Sequence, residues 1–393
     1  MKSNPALCEA IAHRIAANPQ KRITFAEYMD LVLYHPDFGY YSTKAIDIGK
    51  KGDFFTSVHL GSDFGELLAE QFVQMWEILD RPVPFSLVEM GAGQGLLAVD
   101  ILKHIQQQHH DFFNVLHYII IEKSPGLKQQ QQQRLQEFPV CWCNLEEIPS
   151  HSISGCFFSN ELVDALPVHQ FVLEQGQLLE VYVTTSSPST FLPSFVEVTD
   201  APSTHRLVEY FELVDIDIKN GYPDGYRSEI NLAALDWLGA VTDRLQRGYL
   251  LTIDYGYTAH RYYNPRRSQG TLQCYYQHHR HNDPYINVGQ QDITAHIDFT
   301  ALERWGERCG LDKVGFTEQA LFLMALGLGE RIASLSYTEQ PLSQLLGRRD
   351  SLHQLLDPLG LGGFGVLVQS KGLTQKEAVQ SLKGFIVPEQ MPI

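Results

Sequence analysis

The residues most able to do chemistry are acids that follow apolar runs. Glu89 precedes the alternating turn Gly91-Ala92-Gly93-Gln94-Gly95, and Glu122 follows Tyr118-Ile119-Ile120-Ile121. Asn160-Glu161-Leu162-Val163-Asp164 follows Gly155-Cys156-Phe157-Phe158-Ser159, and Asp254 follows Tyr249-Leu250-Leu251-Thr252-Ile253. A glycine turn between a strand and a helix lets the backbone approach a nucleotide and presents the free N–H groups of the helix N-terminus. The spacing departs from the dinucleotide pattern Gly-x-Gly-x-x-Gly, because the glycines alternate and Leu96 takes the place of the third small residue. An acid at position 89 would repel a pyrophosphate and attract a cation. S-adenosylmethionine, which carries an ammonium and a sulfonium and no phosphate, suits it better than NAD. Glu122 can accept both hydroxyls of an adenosine ribose, a role that fits either ligand.

These acids need a scaffold. Residues 85–90, 96–105 and 118–121 read as strand, helix and strand, the right-handed βαβ unit of a parallel sheet. The alternation continues with a strand over 155–159, a helix over 231–247, a strand over 249–256 and a last strand over 364–370. Upstream, residues 6–17 form an amphipathic helix, and Thr24 with Glu27 reads as a capping box opening a second helix that ends near His35-Pro36. Apolar spacing over 61–79 has helical period, and the glutamine run 129–133 reads as a solvated helix face. Residues 171–183 and 191–198 look like hairpin strands, which places an inserted lobe at 167–225. A second insertion, rich in His, Tyr and Asn, covers 257–297. The expected organisation is an N-terminal helical segment and covering loop over 1–84, then an α/β domain over 85–393 that carries both insertions.

The chain has 393 residues, with 30 Lys plus Arg against 46 Asp plus Glu, a net charge of −16. With no basic stripe, this balance argues against nucleic acid as a partner. At 44% hydrophobic and 19% charged, the composition is globular. No apolar run is long enough for a membrane span, and the N-terminal stretch is broken by Glu9. A cytoplasmic protein with no membrane insertion is therefore expected. Cys8, Cys141, Cys143, Cys156, Cys274 and Cys309 form no Cys-x-x-Cys pair, which suggests reduced thiols and no zinc. His278-His279-x-His281 is rejected as a metal site, since adjacent histidines point apart and no acid or Cys cluster completes a tetrahedron. The pairs Tyr262-Tyr263 and Tyr275-Tyr276 could line a peptide groove or pack inside the insertion. His296 reads as a structural or acceptor-site residue.

The glycine turn, Gly52-Asp53-Phe54-Phe55-Thr56-Ser57, Asn160-Glu161-Leu162-Val163-Asp164-Ala165-Leu166-Pro167 and Ile253-Asp254-Tyr255-Gly256 together resemble the MidA family, as do Gly270-Thr271-Leu272 and Gln291-Asp292-Ile293-Thr294-Ala295-His296-Ile297-Asp298-Phe299. The resemblance runs over residues 23–368. It implies an α/β, Rossmann-like class I methyltransferase sheet, mostly parallel with a last antiparallel strand, and S-adenosyl-L-methionine as cofactor. The family includes a mitochondrial complex I assembly factor that methylates protein arginine. The implied acceptor is accordingly an arginine nitrogen on a protein, such as a subunit of an NADH dehydrogenase-type complex.

By the same resemblance Glu89, Gly91, Ala92, Gly93 and Gly95 hold the methionine end and Glu122 the ribose, while Gly52, Asp53 and Thr56 close over the cofactor. Asn160 joins the cofactor contacts, and Glu161, backed by Asp164 or Asp254, meets the acceptor. Methyl transfer from a sulfonium is an in-line displacement that needs no metal, so alignment and electrostatics are what the protein supplies. Carboxylates can orient the planar fork of a guanidinium and stabilise its charge. Two alternatives stay open: a methyltransferase of small molecules, with a closed pocket, and a cofactor-binding assembly factor that works by holding a partner. A homodimer is compatible with the sequence.

Overall fold

The computed structural model describes residues 3–43, 56–186, 193–277, 279–335 and 341–386. Gly52 and Asp53 lie outside these residues. Seven strands form the central sheet: β1 Phe85–Met90, β2 Leu116–Ile121, β3 Val140–Cys143, β4 Ile153–Asn160, β5 Leu245–Asp254, β6 Asp312–Glu318 and β7 Gly365–Lys371. Their order across the sheet is β6-β7-β5-β4-β1-β2-β3. Strands β1 to β5 run parallel, and β7 is antiparallel to both of its neighbours, β5 and β6. This is the mostly parallel sheet with an antiparallel last strand that the resemblance implies. After β3 the chain crosses back to lay β4 on the other side of β1, which opens a crevice at the carboxyl ends of β1 and β4. Open α/β sheets bind their ligands at such a switch point.

Five helices concern the site: α1 Pro5–Ala17, α2 Phe25–Tyr34, α3 Asp63–Ile78, α4 Leu96–Gln108 and α5 Pro125–Arg134. The central strands bury both faces, because successive side chains point to opposite sides and each side is covered. Leu87, Phe158 and Leu251 pack under α3 and α4, while their neighbours Val88, Phe157 and Leu250 pack under the helices Leu232–Arg244 and Phe299–Arg308. Glu70 of α3 accepts hydrogen bonds from Nε2 of both His104 and His109 at 2.8 Å, tying it to α4. These bonds draw the Glu70 carboxyl down to about 2.

A second core lies beside the sheet. Leu7 and Ile11 of α1 and Phe25, Met29 and Val32 of α2 pack with Val183 and Phe195 of the first insertion and Cys274 and Ile293 of the second. The strand Ile23–Thr24 adds to the edge of Gln177–Thr185. Thr24 caps α2, its Oγ1 accepting the Glu27 N–H at 3.1 Å, and the helix ends at Tyr34. Only this half of the expected box forms between side chain and backbone, since the Glu27 carboxylate pairs with Arg14. Buried Glu229, on the strand Arg227–Ile230, accepts the Thr271 N–H at 2.9 Å and its hydroxyl at 3.1 Å, which fixes the Gly270-Thr271-Leu272 run of the second insertion. Helix α3, assigned from sequence to the N-terminal segment, packs with the sheet core.

Several elements differ from the sequence reading. β3 and β6 carried no clear signal: β3 has four residues, and β6 is an edge strand bearing Asp312, Lys313 and Glu318. β5 starts at Leu245, inside the predicted helix 231–247, which ends at Arg244. Residues Arg206–Val214 of the first insertion are helical, its third strand is Phe195–Asp200, and the start of the predicted strand 191–198 lies outside the described residues. The second insertion holds a three-stranded sheet of Gln273–Tyr276, His279–His281 and Asp292–Thr294. Among the described residues no helix is long and apolar enough to cross a membrane.

Gly248 of β5 faces Gly155 of β4, and a Cβ at Gly248 (φ 134°) would lie 1.9 Å from the Gly155 carbonyl oxygen. Gly248→Ala is expected to cost about 3 kcal/mol of unfolding free energy through backbone strain and forced strand separation. Urea denaturation would read this as a lower midpoint at unchanged slope.

Candidate active site

The crevice at the carboxyl ends of β1, β2 and β4 is a cleft lined by Glu89, Gly91, Ala92, Gly93 and Gln94, by Glu122 and Ser124, and by Asn160, Glu161 and Asp164. In the glycine turn Gly91, Gly93 and Gly95 take φ of 72°, 52° and 74°, left-handed values that L side chains rarely adopt, which accounts for the alternate spacing. A Cβ on Gly91 would also fall 2.7 Å from Leu162 Cδ1, so this residue lets the acidic loop after β4 close onto the turn. Gly95 does not line the cleft and instead caps α4.

Glu89, the penultimate residue of β1, is buried, and its Oε2 accepts the Tyr118 hydroxyl at 2.7 Å. Burial pushes its carboxyl up to about 7, opposed by the Tyr118 bond and aided by Glu122. Glu122 is also raised by burial, but its carboxylate is fixed: Oε1 accepts the Ser124 N–H at 2.9 Å and Oε2 the Gln131 side-chain amide at 3.0 Å. Gln131 spends its second amide proton on the Gly93 carbonyl at 2.8 Å and accepts the Trp142 indole N–H at 3.0 Å. One fully buried side chain of the glutamine run thus joins the glycine turn to the acid of β2. The solvated-face reading of residues 129–133 fails at this position.

β4 ends at Asn160, and Glu161 takes φ 52° with its N–H bonded to the Ile253 carbonyl at 2.9 Å. A non-glycine residue there costs about 1–3 kcal/mol and persists when the surroundings impose it, often at functional sites. The Asn160 amide donates to Glu161 Oε1 at 3.1 Å. Asp254 is fully buried at the end of β5; its Oδ2 accepts the N–H groups of Val163 at 2.9 Å and Asp164 at 3.2 Å, and its Oδ1 that of Tyr255 at 2.8 Å. It holds the turn Val163–Ala165 in place and does not line the cleft. Burial and the Asp164 charge push Glu161 up to about 8, burial pushes Asp164 to about 6, and burial with both neighbours raises Asp254 strongly. Among the described residues no lysine or arginine pairs with these three acids.

Thr56 lines the cleft, its Oγ1 3.0 Å from His59 Nδ1. Tyr34, Tyr41 and Asp292 also line the cleft and were given no site role from sequence. Tyr34 and Tyr41 stack at 5.4 Å with an interplanar angle of 25°, and Tyr41 donates to the Asp292 carboxylate at 2.9 Å. Tyr34 ends the helix Phe25–Tyr34 and Tyr41 lies beyond His35-Pro36, and no local pattern says which surface either ring covers. His296 does not line the cleft; it stacks on Tyr257 at 5.1 Å and meets the Tyr255 edge at 4.9 Å, and burial lowers it to about 4. Tyr262 and Tyr263 are buried in the core of the first insertion. His279 and His281 lie on a strand, and His278 lies outside the described residues.

The family described as "Putative S-adenosyl-L-methionine-dependent methyltransferase" matches residues 67–317. The protein arginine methyltransferase NDUFAF7 homolog, mitochondrial, of Drosophila melanogaster is 31% identical over 369 residues, 86% of this chain and 79% of that protein. The mitochondrial protein arginine methyltransferase NDUFAF7 of Mus musculus is 29% identical over 368 residues, with the same shares. A crystal structure of a Burkholderia thailandensis protein bound to S-adenosylhomocysteine superimposes with a TM-score of 0.83 at 28% identity, covering 97% of this chain and 94% of that one. The curated relatives are named as mitochondrial proteins, and this overturns the cytoplasmic expectation.

Gln131→Leu strands the Glu122 oxygen, the Gly93 carbonyl and the Trp142 N–H. Losses of about 1–3 kcal/mol per buried group predict at least about tenfold weaker S-adenosylhomocysteine binding. Calorimetry would show this, with Gln132→Ala, at an exposed position of the same run, unchanged.

Proposed function

The chain belongs to the family of S-adenosyl-L-methionine-dependent methyltransferases, and we propose that it transfers methyl groups to a guanidinium nitrogen of an arginine in a protein substrate. One observation carries this reading: Glu161 and Asp164 stand in the cofactor cleft, largely withdrawn from water and paired with no lysine or arginine among the described residues. Carboxyls in that state call for a cationic guest. A guanidinium fits, because it keeps its charge at every physiological pH and presents N–H donors in a plane that carboxylates can grip in pairs.

The cleft also fits the cofactor. Glu89 offers an acid to a cationic group, the glycine turn leaves its backbone uncovered, and Asn160 has a buried side-chain oxygen without a hydrogen-bond partner among the described residues. In this assignment Glu89 with Gly91, Ala92 and Gly93 holds the methionine end, Glu122 the ribose, and Thr56 with Gly52 and Asp53 the covering side. S-adenosylmethionine supplies a methyl group on a good leaving group. Glu161 orients the acceptor nitrogen, and Glu161 or Asp164 takes the proton that this nitrogen sheds. Asp254 positions both through the backbone N–H groups it holds. The curated relatives' names support a protein substrate, and the net charge of −16 suits a basic one. As substrate we favour a subunit of an NADH dehydrogenase-type complex, on the resemblance described above.

Glu161→Gln is expected to lower methylarginine formation in acceptor proteins of a respiratory-membrane extract by at least about a hundredfold. Its S-adenosylhomocysteine affinity should stay within about twofold by calorimetry. Retained methylation would remove Glu161 from the acceptor site. Since Glu161 holds its proton up to about 8 and only its ionised form grips a cation, kcat/KM should rise with pH and level off above that value. A profile that is flat or falling between pH 6 and pH 9 would count against the assignment.

A further inference from the structure

We propose that Asp292 is a third acid of the acceptor pocket, delivered by the second insertion, and that with the stacked pair Tyr34 and Tyr41 it makes the pocket select a guanidinium over an ammonium. This rests on the arginine reading and deepens it.

Asp292 opens the strand Asp292–Thr294, is 3% exposed and lines the same cleft as Glu161 and Asp164. Its placement is fixed on three sides. The Ile293 N–H donates to Oδ1 at 2.8 Å, and the Tyr41 hydroxyl reaches both oxygens, at 3.1 and 2.9 Å. The Ala295 N–H donates to the Asp164 carbonyl at 2.9 Å, stitching this strand to the acidic turn after β4. Asp292 and Asp164 both raise the phenols of Tyr34 and Tyr41, after burial, so both acids lie close to the tyrosine pair. Tyr34 is anchored by its hydroxyl to the Ala165 carbonyl at 2.9 Å, and the Tyr41 carbonyl accepts the Ser124 hydroxyl at 3.0 Å.

The acids of the pocket lie close together and out of water. Asp164 is 5% exposed and faces the Tyr255 hydroxyl. Carboxyls from two separate parts of the chain, Glu161 with Asp164 and Asp292, match the edges of a guanidinium, and a planar guanidinium is also the better guest for the tyrosine pair, where the Lys123 ammonium of the same cleft stands 5.8 Å from the Tyr34 ring centroid. A lysine ammonium gains less. It has no plane to stack, and carboxylates around it favour its protonated form, which has no electron pair to attack with.

The test separates this inference from the reading beneath it. Protein saturated with S-adenosylhomocysteine is titrated by calorimetry with n-butylguanidinium and with n-butylammonium, and methylarginine formation is measured in parallel. The wild type should bind the guanidinium at least about tenfold more tightly than the ammonium. Asp292→Asn should lose most of that preference and raise KM for the protein acceptor, with S-adenosylhomocysteine affinity unchanged. Should Asp292→Asn fold poorly in thermal unfolding, Tyr41→Phe, which keeps the carboxylate and removes its phenol donor, should show a smaller loss of the same sign. Equal guanidinium binding by wild type and Asp292→Asn, with methylarginine still formed, overturns the role of Asp292 and leaves arginine methylation standing. No guanidinium binding and no methylarginine from the wild type overturns both.

Discussion

Carboxyl groups kept from water without a cation are the constraint around which this site is built. A buried ionised carboxylate without compensation is expensive, so such a group holds its proton until a cation arrives. Glu161, Asp164 and Asp254 are all displaced upward by burial, and the first two feel or exert the charge of another acid. The fold accommodates the set by division of labour. Asp254 receives three backbone N–H groups and becomes a structural pin, which leaves Glu161 and Asp164 facing the cleft. The left-handed backbone at Glu161 follows from the same arrangement, since its N–H is bonded to β5 just as the chain leaves β4.

The cleft stands between two cores of different origin. Its floor belongs to the sheet: the glycine turn after β1, Glu122 after β2 and the acidic loop after β4. Gln131 makes that floor a unit, because its amide and carbonyl join Gly93, Glu122 and Trp142 in one network. Tyr34, Tyr41 and Asp292 come from the second core, where α1 and α2 pack with both insertions. The N-terminal segment and the second insertion are therefore the opposite wall of the cleft, and the Tyr41 and Ser124 contact crosses between the two.

What was legible in the sequence follows the physics of each element. The apolar runs of β1, β2, β4, β5 and β7 are nearly continuous because helices cover both faces, and the acids at the ends of β1, β2, β4 and β5 mark the ligand side of the sheet. The glycine turn was legible because three left-handed positions demand glycine. β3, β6 and the three-stranded sheet of the second insertion were not, since short or edge strands bury little and carry polar residues. Asp254 could be read as an acid at a strand end, but whether it faces the cleft or the backbone depends on a turn ninety residues away in the chain. Gln131 was hidden among like neighbours, and one buried position in a polar run leaves no periodic trace. Asp292 lay in a run that carries the family resemblance, but that it meets the two tyrosines at the cleft depended on how separate segments fold together.

Methyl transfer of the proposed kind brings a sulfonium and a guanidinium, two cations, within bonding distance. At 4 Å and an effective dielectric near 20 their repulsion is about 4 kcal/mol, enough to slow encounter by orders of magnitude if nothing opposed it. Glu89, Glu161 and Asp164 line the cleft where those charges would meet, and each starts out raised by burial. In the proposed reaction a bound cation would favour their ionised forms, and that negative charge would screen one cation from the other. Once the methyl group has moved, the sulfur is neutral and the nitrogen has shed a proton, so the cleft holds one positive charge fewer. On this reading Glu161 or Asp164 takes up that one proton and its grip on the product loosens, while the other carboxylates are reprotonated from solvent as the two products leave. Burial of acids without a paired cation, a defect in a purely structural protein, would on the proposed reading let the cleft accept two cations and then release them.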